Sequence, residues 1–373
     1  MTKGKGLDSF QISFNNTEEF LEFLEKREVY TGRISVPAKN LKFYTLEQVK
    51  KWYKTSEELA ERLGIDVELV KDTENNTKMV VVIENGHKDP YLLGSSSWVS
   101  IKNRIDIYGK GFDMLGPEEQ VRDINVRMSQ LGDEEVQVII VYDKIRAIMS
   151  RMYAVVIAAD FFKSVLDYSR ERFDSFELVE AYADHNVTRC KILFTELREE
   201  LAEIYKLPDE YIPGLVIQTS DTGFSANRIG AYWQSSSRGS FINSNEYIYA
   251  KHKGEVTLED ILEELPNLFI KYQNTLKKFA NLLTIEISQP VKVLKKACRH
   301  IGVAKKHTKM LVEELERELS TAGITTTTAY DICRKILSLP NYVTDSTQKT
   351  DLQEKVGRAV NINYTKLEEE EDE

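Results

Sequence analysis

The sequence predicts an α+β protein whose central, mainly antiparallel sheet lies between N-terminal and C-terminal helical parts. Segments with the spacing of amphipathic helices fill both ends of the 373-residue chain, and short β-rich runs separated by turns fill its middle. Because these strands follow one another instead of alternating regularly with helices, the order favours α+β over an alternating α/β arrangement. The hydrophobic fraction of 42% is sufficient for a packed core.

The first part of the chain is predicted to be helical. Asn16 and Glu19 have the spacing of a helix-capping box and stand just before a run rich in Phe and Leu. The polar run at 75–77 precedes a short β-rich segment and marks a boundary. We therefore expect an N-terminal helical region at 1–75 and a central α+β domain at 76–256.

The central domain is expected to hold the strands of the sheet. After a helical stretch at 95–131, two β-branched runs flank a tight turn at 142–144 and predict a hairpin. Two further strands are predicted on either side of 184–186, where Asp, His and Asn form a turn. Strands at 219–233 and 239–251 complete the predicted sheet.

The C-terminal third combines a basic helical region, predicted at 257–366, with an acidic end. The stretch from Lys271 to Lys309 holds ten Lys or Arg residues against a single acid, Glu286. The last six residues are all acidic, so the tail at 367–373 is expected to be disordered and solvated. The distribution of charge matters more than the net charge of −10, which taken alone argues against nucleic acid.

Composition and motifs exclude several classes of protein. No apolar run approaches the ~18 residues of a membrane span, and the N-terminus lacks the apolar core of a signal peptide. Three cysteines without a C-x-x-C pair fit a reducing cytoplasm. Because the sequence has no nucleophile elbow and no Cys/His cluster, we expect a non-catalytic cytoplasmic protein without a metal or other cofactor.

The segment TSDTGFSANRIGAYW at 219–233 is unusually polar for a strand. Its Asp-Thr-Gly portion has no phosphate-loop pattern and is typical of a hairpin turn. In the strand that follows, period-two alternation places Phe224, Arg228 and Tyr232 on one face, as in a stacking platform for single-stranded nucleic acid. Arg238, in the Ser/Gly loop after this strand, would add a contact to the nucleic-acid backbone. The alternative for the strand is an edge strand with one face exposed to solvent. The alternative for the loop is a solvated loop without a binding role.

Basic residues recur at near-helical spacing in the segment VKVLKKACRHIGVAKKHTKM. They are the candidate phosphate contacts, since neutralising phosphates supplies most of the affinity of nucleic-acid-binding proteins. They comprise Lys292, Lys295, Lys296, Arg299, Lys305, Lys306 and Lys309. The alternative is a solvated helical face. The acidic tail could compete for these cations, recruit a partner or only increase solubility.

Two segments carry a family resemblance. The first matches a strand pattern v-R-A-x-x-S-x-x-Y through Arg146, Ala147, Ser150 and Tyr153. The second matches G-x-S-A-x-R-I, followed by a Lys-His-x-Gly element, through Gly223, Ser225, Ala226, Arg228, Ile229 and His252. Over residues of about 90–365, the chain resembles the phage/plasmid-like protein family, a domain of unknown function found in bacteriophages and mobile elements. The resemblance implies a phage gene product in the host bacterial cytoplasm and supplies no catalytic residues.

Two functions of different classes follow from these features. The leading hypothesis is a non-catalytic phage protein that binds nucleic acid, with single strands expected, during replication, annealing or recombination. The alternative is a self-assembling or protein-interaction protein: a homo-oligomer, a virion component or an inhibitor of host defence that contacts a host or phage protein. Neither hypothesis involves a membrane.

Overall fold

The computed structural model contains two six-stranded sheets, each with helices packed against it, and it confirms the α+β class. The residues that the structure describes are 4–51, 54–84, 88–153, 156–173, 175–197, 204, 206–208, 210–235, 241–250, 258–343 and 346–371. Within these residues, no helix is both long enough and apolar enough to cross a membrane.

The first sheet has the strand order β2-β6-β7-β5-β4-β3, in which β5 and β7 are parallel and all other neighbours are antiparallel. Its strands are β2 (Thr31–Pro37), β3 (Leu41–Thr45), β4 (Met79–Glu84), β5 (Lys88–Leu93), β6 (Glu135–Val141) and β7 (Lys144–Ser150). One face packs against α5 (Ser97–Arg104) and α6 (Pro117–Leu131). The opposite face packs against α2 (Leu46–Lys50), α3 (Ser56–Leu63) and α4 (Val67–Asn75).

Alternation along β4 explains how this sheet carries two cores. Val81 and Ile83 point to the helices that follow β5, whereas Val80 points to the three short helices that follow β3. All three side chains are buried. The continuous run of Val and Ile in this strand therefore reflects burial on both faces.

The second sheet is antiparallel throughout, with the order β1-β8-β9-β10-β11-β12. Its strands are β1 (Gln11–Phe14), β8 (Glu177–Asp184), β9 (Thr188–Leu193), β10 (Tyr211–Thr219), β11 (Asn227–Ser235) and β12 (Phe241–Ala250). The largest hydrophobic cluster joins one face of this sheet to α1 (Thr17–Val29), α7 (Ala158–Phe173), α8 (Leu258–Glu263) and α9 (Leu265–Asn281).

The C-terminal helices belong to the same cluster as the second sheet. They are α10 (Pro290–His300), α11 (Lys305–Ala322), α12 (Ala329–Leu337), α13 (Ser346–Gly357) and α14 (Tyr364–Glu369). A short ribbon of β13 (Glu286–Ile287) and β14 (Thr327–Thr328) joins the start of this region to its middle. Tyr330 of α12 shows the continuity, because its hydroxyl lies 3.3 Å from that of Tyr211 in β10.

Two features of the fold differ from the sequence prediction. The first 75 residues contain four helices but also three strands, and β1 pairs with β8 from a distant part of the chain. The structure contains two sheets in place of the expected single sheet. The strands β2 and β3 are the edges of the first sheet, and β1 is an edge of the second. Pairing with distant strands fixes these segments, and local helix signals carry no information about it.

A polar layer lies on the face of the second sheet that α13 approaches. Glu180 of β8 accepts hydrogen bonds from Arg189 Nη2 at 2.7 Å and from Lys191 Nζ at 3.0 Å. The Lys191 ammonium also donates to Gln353 Oε1 of α13 at 3.1 Å. Burial acts to raise the pKa of Glu180, but the charges of Lys191 and Arg189 outweigh it and lower the pKa to about 2.

This shift predicts how Glu180 contributes to acid stability. A carboxylate whose pKa is depressed by folding stabilises the native state above its unfolded value of about 4.5, and that contribution is lost as the pH falls toward about 2. Glu180→Gln should remove about 2 kcal/mol from the free energy of unfolding at pH 7, allowing for partial exposure, and much less at pH 2. Urea titrations of both proteins at the two pH values test this, and equal losses at both would contradict it.

Candidate nucleic-acid interface

The predicted stacking platform on β11 does not form. Arg228 and Tyr232 share a face of the strand, but β11 lies between β10 and β12. Tyr232 is only 3% exposed, so its ring cannot stack on a base, and the prediction is wrong for this residue. The alternative of an edge strand is wrong for the same topological reason.

The other two predicted platform residues, Arg228 and Phe224, do not form a stacking surface with Tyr232. Arg228 binds Glu354 of α13 at 2.6 Å and Gln218 of β10 at 2.8 Å, so its guanidinium is largely committed within the fold. Phe224 lies in the turn before β11, is 55% exposed and lines a different cleft. Arg238 and His252 lie outside the described residues.

An exposed tyrosine and a half-buried one are instead found on the neighbouring strand, β12. Tyr249 is 58% exposed, and its ring centroid lies 5.5 Å from that of Tyr247. The Arg228 guanidinium lies 5.5 Å from the Tyr247 ring centroid, within range of a cation–π contact. The Tyr-Ile-Tyr alternation at the end of β12 was the available sequence signal for two tyrosines on one face.

These tyrosines form one wall of a cleft of about 580 Å³, which we call the tyrosine cleft. Its other polar wall residues are His300, Glu354, Arg358 and Asn361, and the Glu354 carboxylate is paired with Arg228. His300 and Arg358 are exposed. The tyrosine cleft therefore combines aromatic rings with groups that can bind phosphate, as binding sites for single-stranded nucleic acid do.

A second cleft of about 530 Å³, the basic cleft, also includes His300 in its wall. Lys296 and Arg299 of α10 line it on one side, and Leu367, Glu370 and Glu371 line it on the other. Because the two clefts share His300, they lie next to each other at this side chain. The cations of the basic cleft belong to the segment that the charge distribution singled out.

The structure places the predicted phosphate contacts on the outer faces of α10 and α11. Val293, Leu294 and Ala297 bury the inner face of α10, and the basic residues between them point outward. The exposed cations are Lys295, Arg299, Lys305, Lys306 and Lys309. Among the described residues, only Lys309 of these five has a carboxylate within 4.0 Å, that of Glu313 at 3.8 Å.

The cations at the start of α11 destabilise this helix. The first turn of this helix contains no acidic residue, and no side chain caps its N-terminus. Positive charge at this end opposes the helix dipole and costs about 0.3–1 kcal/mol per residue. Lys305 and Lys306 therefore produce a positive potential that the described part of the fold does not compensate.

The acidic tail lies against this basic surface. Glu368 Oε1 accepts hydrogen bonds from the backbone N–H groups of Ser288 and Gln289, both at 2.7 Å, directly before α10. Lys292 Nζ donates to the Glu368 carbonyl at 3.1 Å, and Lys296 Nζ donates to the Glu370 carbonyl at 2.5 Å. The expectation of a disordered tail is wrong for 367–369, since α14 continues to Glu369 and Leu367 is buried, whereas the side chains of Glu369, Glu370 and Glu371 are exposed to solvent.

Comparisons with protein-family models, curated proteins and solved structures find no match to this chain. The resemblance to the phage/plasmid-like family stays a prediction.

The two motif segments that carry this resemblance meet in the fold. Tyr153 donates its hydroxyl hydrogen to the Ser220 carbonyl at 3.1 Å, which ties the end of the β7 hairpin to the turn before β11. In that turn, a Cβ on Gly223 would collide with Met149 at 2.0 Å, and φ is +69°, so glycine is required there. Ser225 Oγ accepts from Gln218 Nε2 at 3.0 Å. Ser150 and Ala226 are half-buried.

Arg146, the other motif residue, lies in a buried ion cluster that the sequence did not indicate. Its Nη1 donates to Asp8 Oδ1 at 2.6 Å, and its Nη2 donates to the Gly6 carbonyl at 2.6 Å. Lys144 binds both Asp8, at 3.3 Å, and Asp72 of α4, at 2.5 Å. The cluster therefore fixes the N-terminal segment to β7 of the first sheet.

Proposed function

We propose that this protein is a non-catalytic binder of single-stranded nucleic acid, acting in phage replication, annealing or recombination. The single observation that carries the proposal is the shared wall residue His300, which lies between two neighbouring tyrosines and a basic helical surface. Bases would stack on Tyr249 and Tyr247, and the exposed cations of α10 and α11 would contact phosphates.

The geometry favours a single strand over a duplex as the ligand. An unpaired strand presents base faces to aromatic side chains and phosphates to cations at the same time, which a stacked duplex cannot do. The tyrosine cleft offers the first kind of contact and the basic cleft the second. We therefore expect tighter binding of an oligothymidylate than of a duplex of equal length.

Tyr249→Ala is expected to weaken binding of an oligothymidylate by about 5- to 150-fold, because one base–aromatic stack contributes about 1–3 kcal/mol. Fluorescence anisotropy at low salt measures the change. Tyr108→Ala is a matched control, since Tyr108 is 77% exposed on α5's C-terminal loop, away from both clefts. Equal affinity of the Tyr249 variant and the control would contradict the role of the tyrosine cleft.

Removal of the tail after Leu367 is expected to raise affinity for the same oligonucleotide by about tenfold. The deleted segment carries six acidic residues, and its described part occupies Lys292 and Lys296. Releasing these cations adds roughly two phosphate contacts. A chain that lacks only residues 372–373 is the control, because it keeps the docked part. An unchanged affinity after the longer deletion would contradict competition by the tail.

A further inference from the structure

The first sheet has one outer edge that the fold covers and one that it leaves open. At β3, the Asn125 side chain of α6 takes the place of a neighbouring strand. Its Nδ2 donates to the Phe43 carbonyl and its Oδ1 accepts from the Phe43 N–H, both at 2.8 Å. At the opposite edge, β6 is the only described element that packs along β2. Uncovered strand edges can pair with another chain, and proteins usually shield them.

The register between β2 and β6 shows which backbone groups of β2 are free. At one end, the Tyr30 carbonyl accepts from the Tyr142 N–H at 3.1 Å. At the other end, the Ala38 N–H donates to the Glu134 carbonyl at 2.8 Å. The pairing between these two bonds has no bulge. Even-numbered residues of β2 therefore direct their backbone groups to β6, and odd-numbered residues direct theirs to the open side.

Three residues present their backbone N–H and carbonyl groups on this open side: Thr31, Arg33 and Ser35. None of these groups has a hydrogen-bond partner within the described part of the chain. Ser35 and the neighbouring Gly32 are exposed, so solvent reaches the strand. Pro37 has no N–H and ends the free segment. We call Thr31 to Ser35 the β2 edge.

The β2 edge is complementary to itself. If two copies align antiparallel about Arg33, Thr31 of each copy lies opposite Ser35 of the other, and every outward N–H of the segment meets a carbonyl. This arrangement has two-fold symmetry, the commonest kind in soluble oligomers. The same register places Val29, which is 81% exposed, opposite Pro37 of the other copy. Pairing would therefore remove apolar surface from water in both copies.

The charge at the centre of this arrangement is balanced within each copy. Arg33 would lie opposite its own equivalent, and like charges directly opposite each other destabilise a pair of strands. The Glu28 carboxylate, however, accepts from both terminal nitrogens of Arg33, at 2.5 and 3.0 Å. Each guanidinium thus brings its own counter-charge to the axis. A second copy therefore satisfies the β2 edge in hydrogen bonding and in charge.

We propose that two copies of this chain associate through the β2 edge, antiparallel and centred on Arg33, to form a symmetric dimer with one continuous sheet. No residue of this edge lines the tyrosine cleft or the basic cleft. Dimer formation therefore requires no nucleic acid, and its failure would leave the proposed interface unaffected.

Sedimentation equilibrium of the nuclease-treated full chain tests for the dimer. A species of twice the 43.0 kDa chain mass should appear as the protein concentration rises. Ser35→Pro should weaken association by at least about tenfold, because each copy loses its hydrogen bond to Thr31 of the other and the ring blocks the edge. Ser35→Ala keeps the N–H and should associate normally. A monomer at every concentration, or equal association of the two variants, would overturn the proposal.

A disulfide test checks the register separately. In the proposed dimer, Arg33→Cys places two equivalent Cα atoms about 5.5 Å apart, within the range of a disulfide. Ser35→Cys is the control, since its equivalent positions would be about 14 Å apart. The three native cysteines are buried and do not compete. Mild oxidation should link only the Arg33 variant. No linkage, or equal linkage of both variants, would contradict the two-fold pairing and leave a strand of another protein as the occupant.

Discussion

Asp8→Ala is expected to lower the free energy of unfolding by about 3–5 kcal/mol, because it leaves the buried charges of Arg146 and Lys144 without one of their partners. Both cations are fully buried, and among the described residues Arg146 keeps only the Gly6 carbonyl as an acceptor. The loss should also release the N-terminal segment, since Asp8 is its main polar anchor. Urea unfolding followed by circular dichroism measures the change.

The matched control for this prediction is Asp113→Ala. Asp113 forms a comparable carboxylate–lysine contact with Lys102 at 2.9 Å, but its side chain is half exposed. Exposed pairs contribute about 0–1 kcal/mol, so the control should change the unfolding free energy little. A loss below about 1 kcal/mol for Asp8→Ala would show that water or rearrangement satisfies the buried cations.

The pH dependence of Asp8 has a defined sign. Burial acts to raise its pKa, but Arg146, Lys144 and the hydrogen bonds from Ser95 outweigh it and lower the pKa below 3.8. The stabilising contribution of Asp8 is therefore present above pH 3.8 and is lost as the pH falls through the lowered pKa. The difference in unfolding free energy between the native protein and Asp8→Ala should therefore decrease as the pH falls below 3.8.

Affinity for an oligothymidylate is expected to fall about 100-fold between 50 and 200 mM salt, if the five exposed cations of α10 and α11 contact phosphates. For single strands, each contact contributes about −0.7 to the slope of log affinity against log salt. Lys295→Ala combined with Arg299→Ala should therefore make the slope shallower by about 1.4. Anisotropy titrations at several salt concentrations give the slope directly.

A pair of exposed lysines elsewhere provides the control for this measurement. Lys26 and Lys88 lie on α1 and β5, are largely exposed, and within the described part of the chain form ion pairs with the surface residues Glu22 and Glu84. Their combined replacement by alanine changes the net charge by the same amount and should leave the slope unaltered. Equal slopes for both double variants would mean that general charge, not the α10 surface, determines binding.

Much of the fold could be predicted because its signals are local. The Asn16 cap and the hairpin that turns at Tyr142 and Asp143 are formed by neighbouring residues, and the structure contains both. The pairing of β1 with β8 was not predictable in this way. It joins residues separated by most of the N-terminal half, and a four-residue strand has too little pattern to identify a partner.

Part of the candidate site could also be predicted from the sequence, because its signals are local. The cations of α10 and α11 follow a helical period that is visible in the sequence, and the structure exposes them. Tyr232 shares a predictable face with Arg228, but its strand lies between β10 and β12 in the interior of the sheet, which the period of one strand cannot indicate. The Asp8–Arg146 contact joins residues that are 138 positions apart, so only the fold brings it together.

The most direct test of the proposed interface is a photo-crosslink. An oligothymidylate with one 5-bromouracil would be irradiated with the full chain, and the modified peptides would be identified by mass spectrometry. The proposal predicts adducts at Tyr247 or Tyr249, which increase when the tail is removed after Leu367. Adducts found only in other peptides, or none at a concentration that saturates binding, would contradict it.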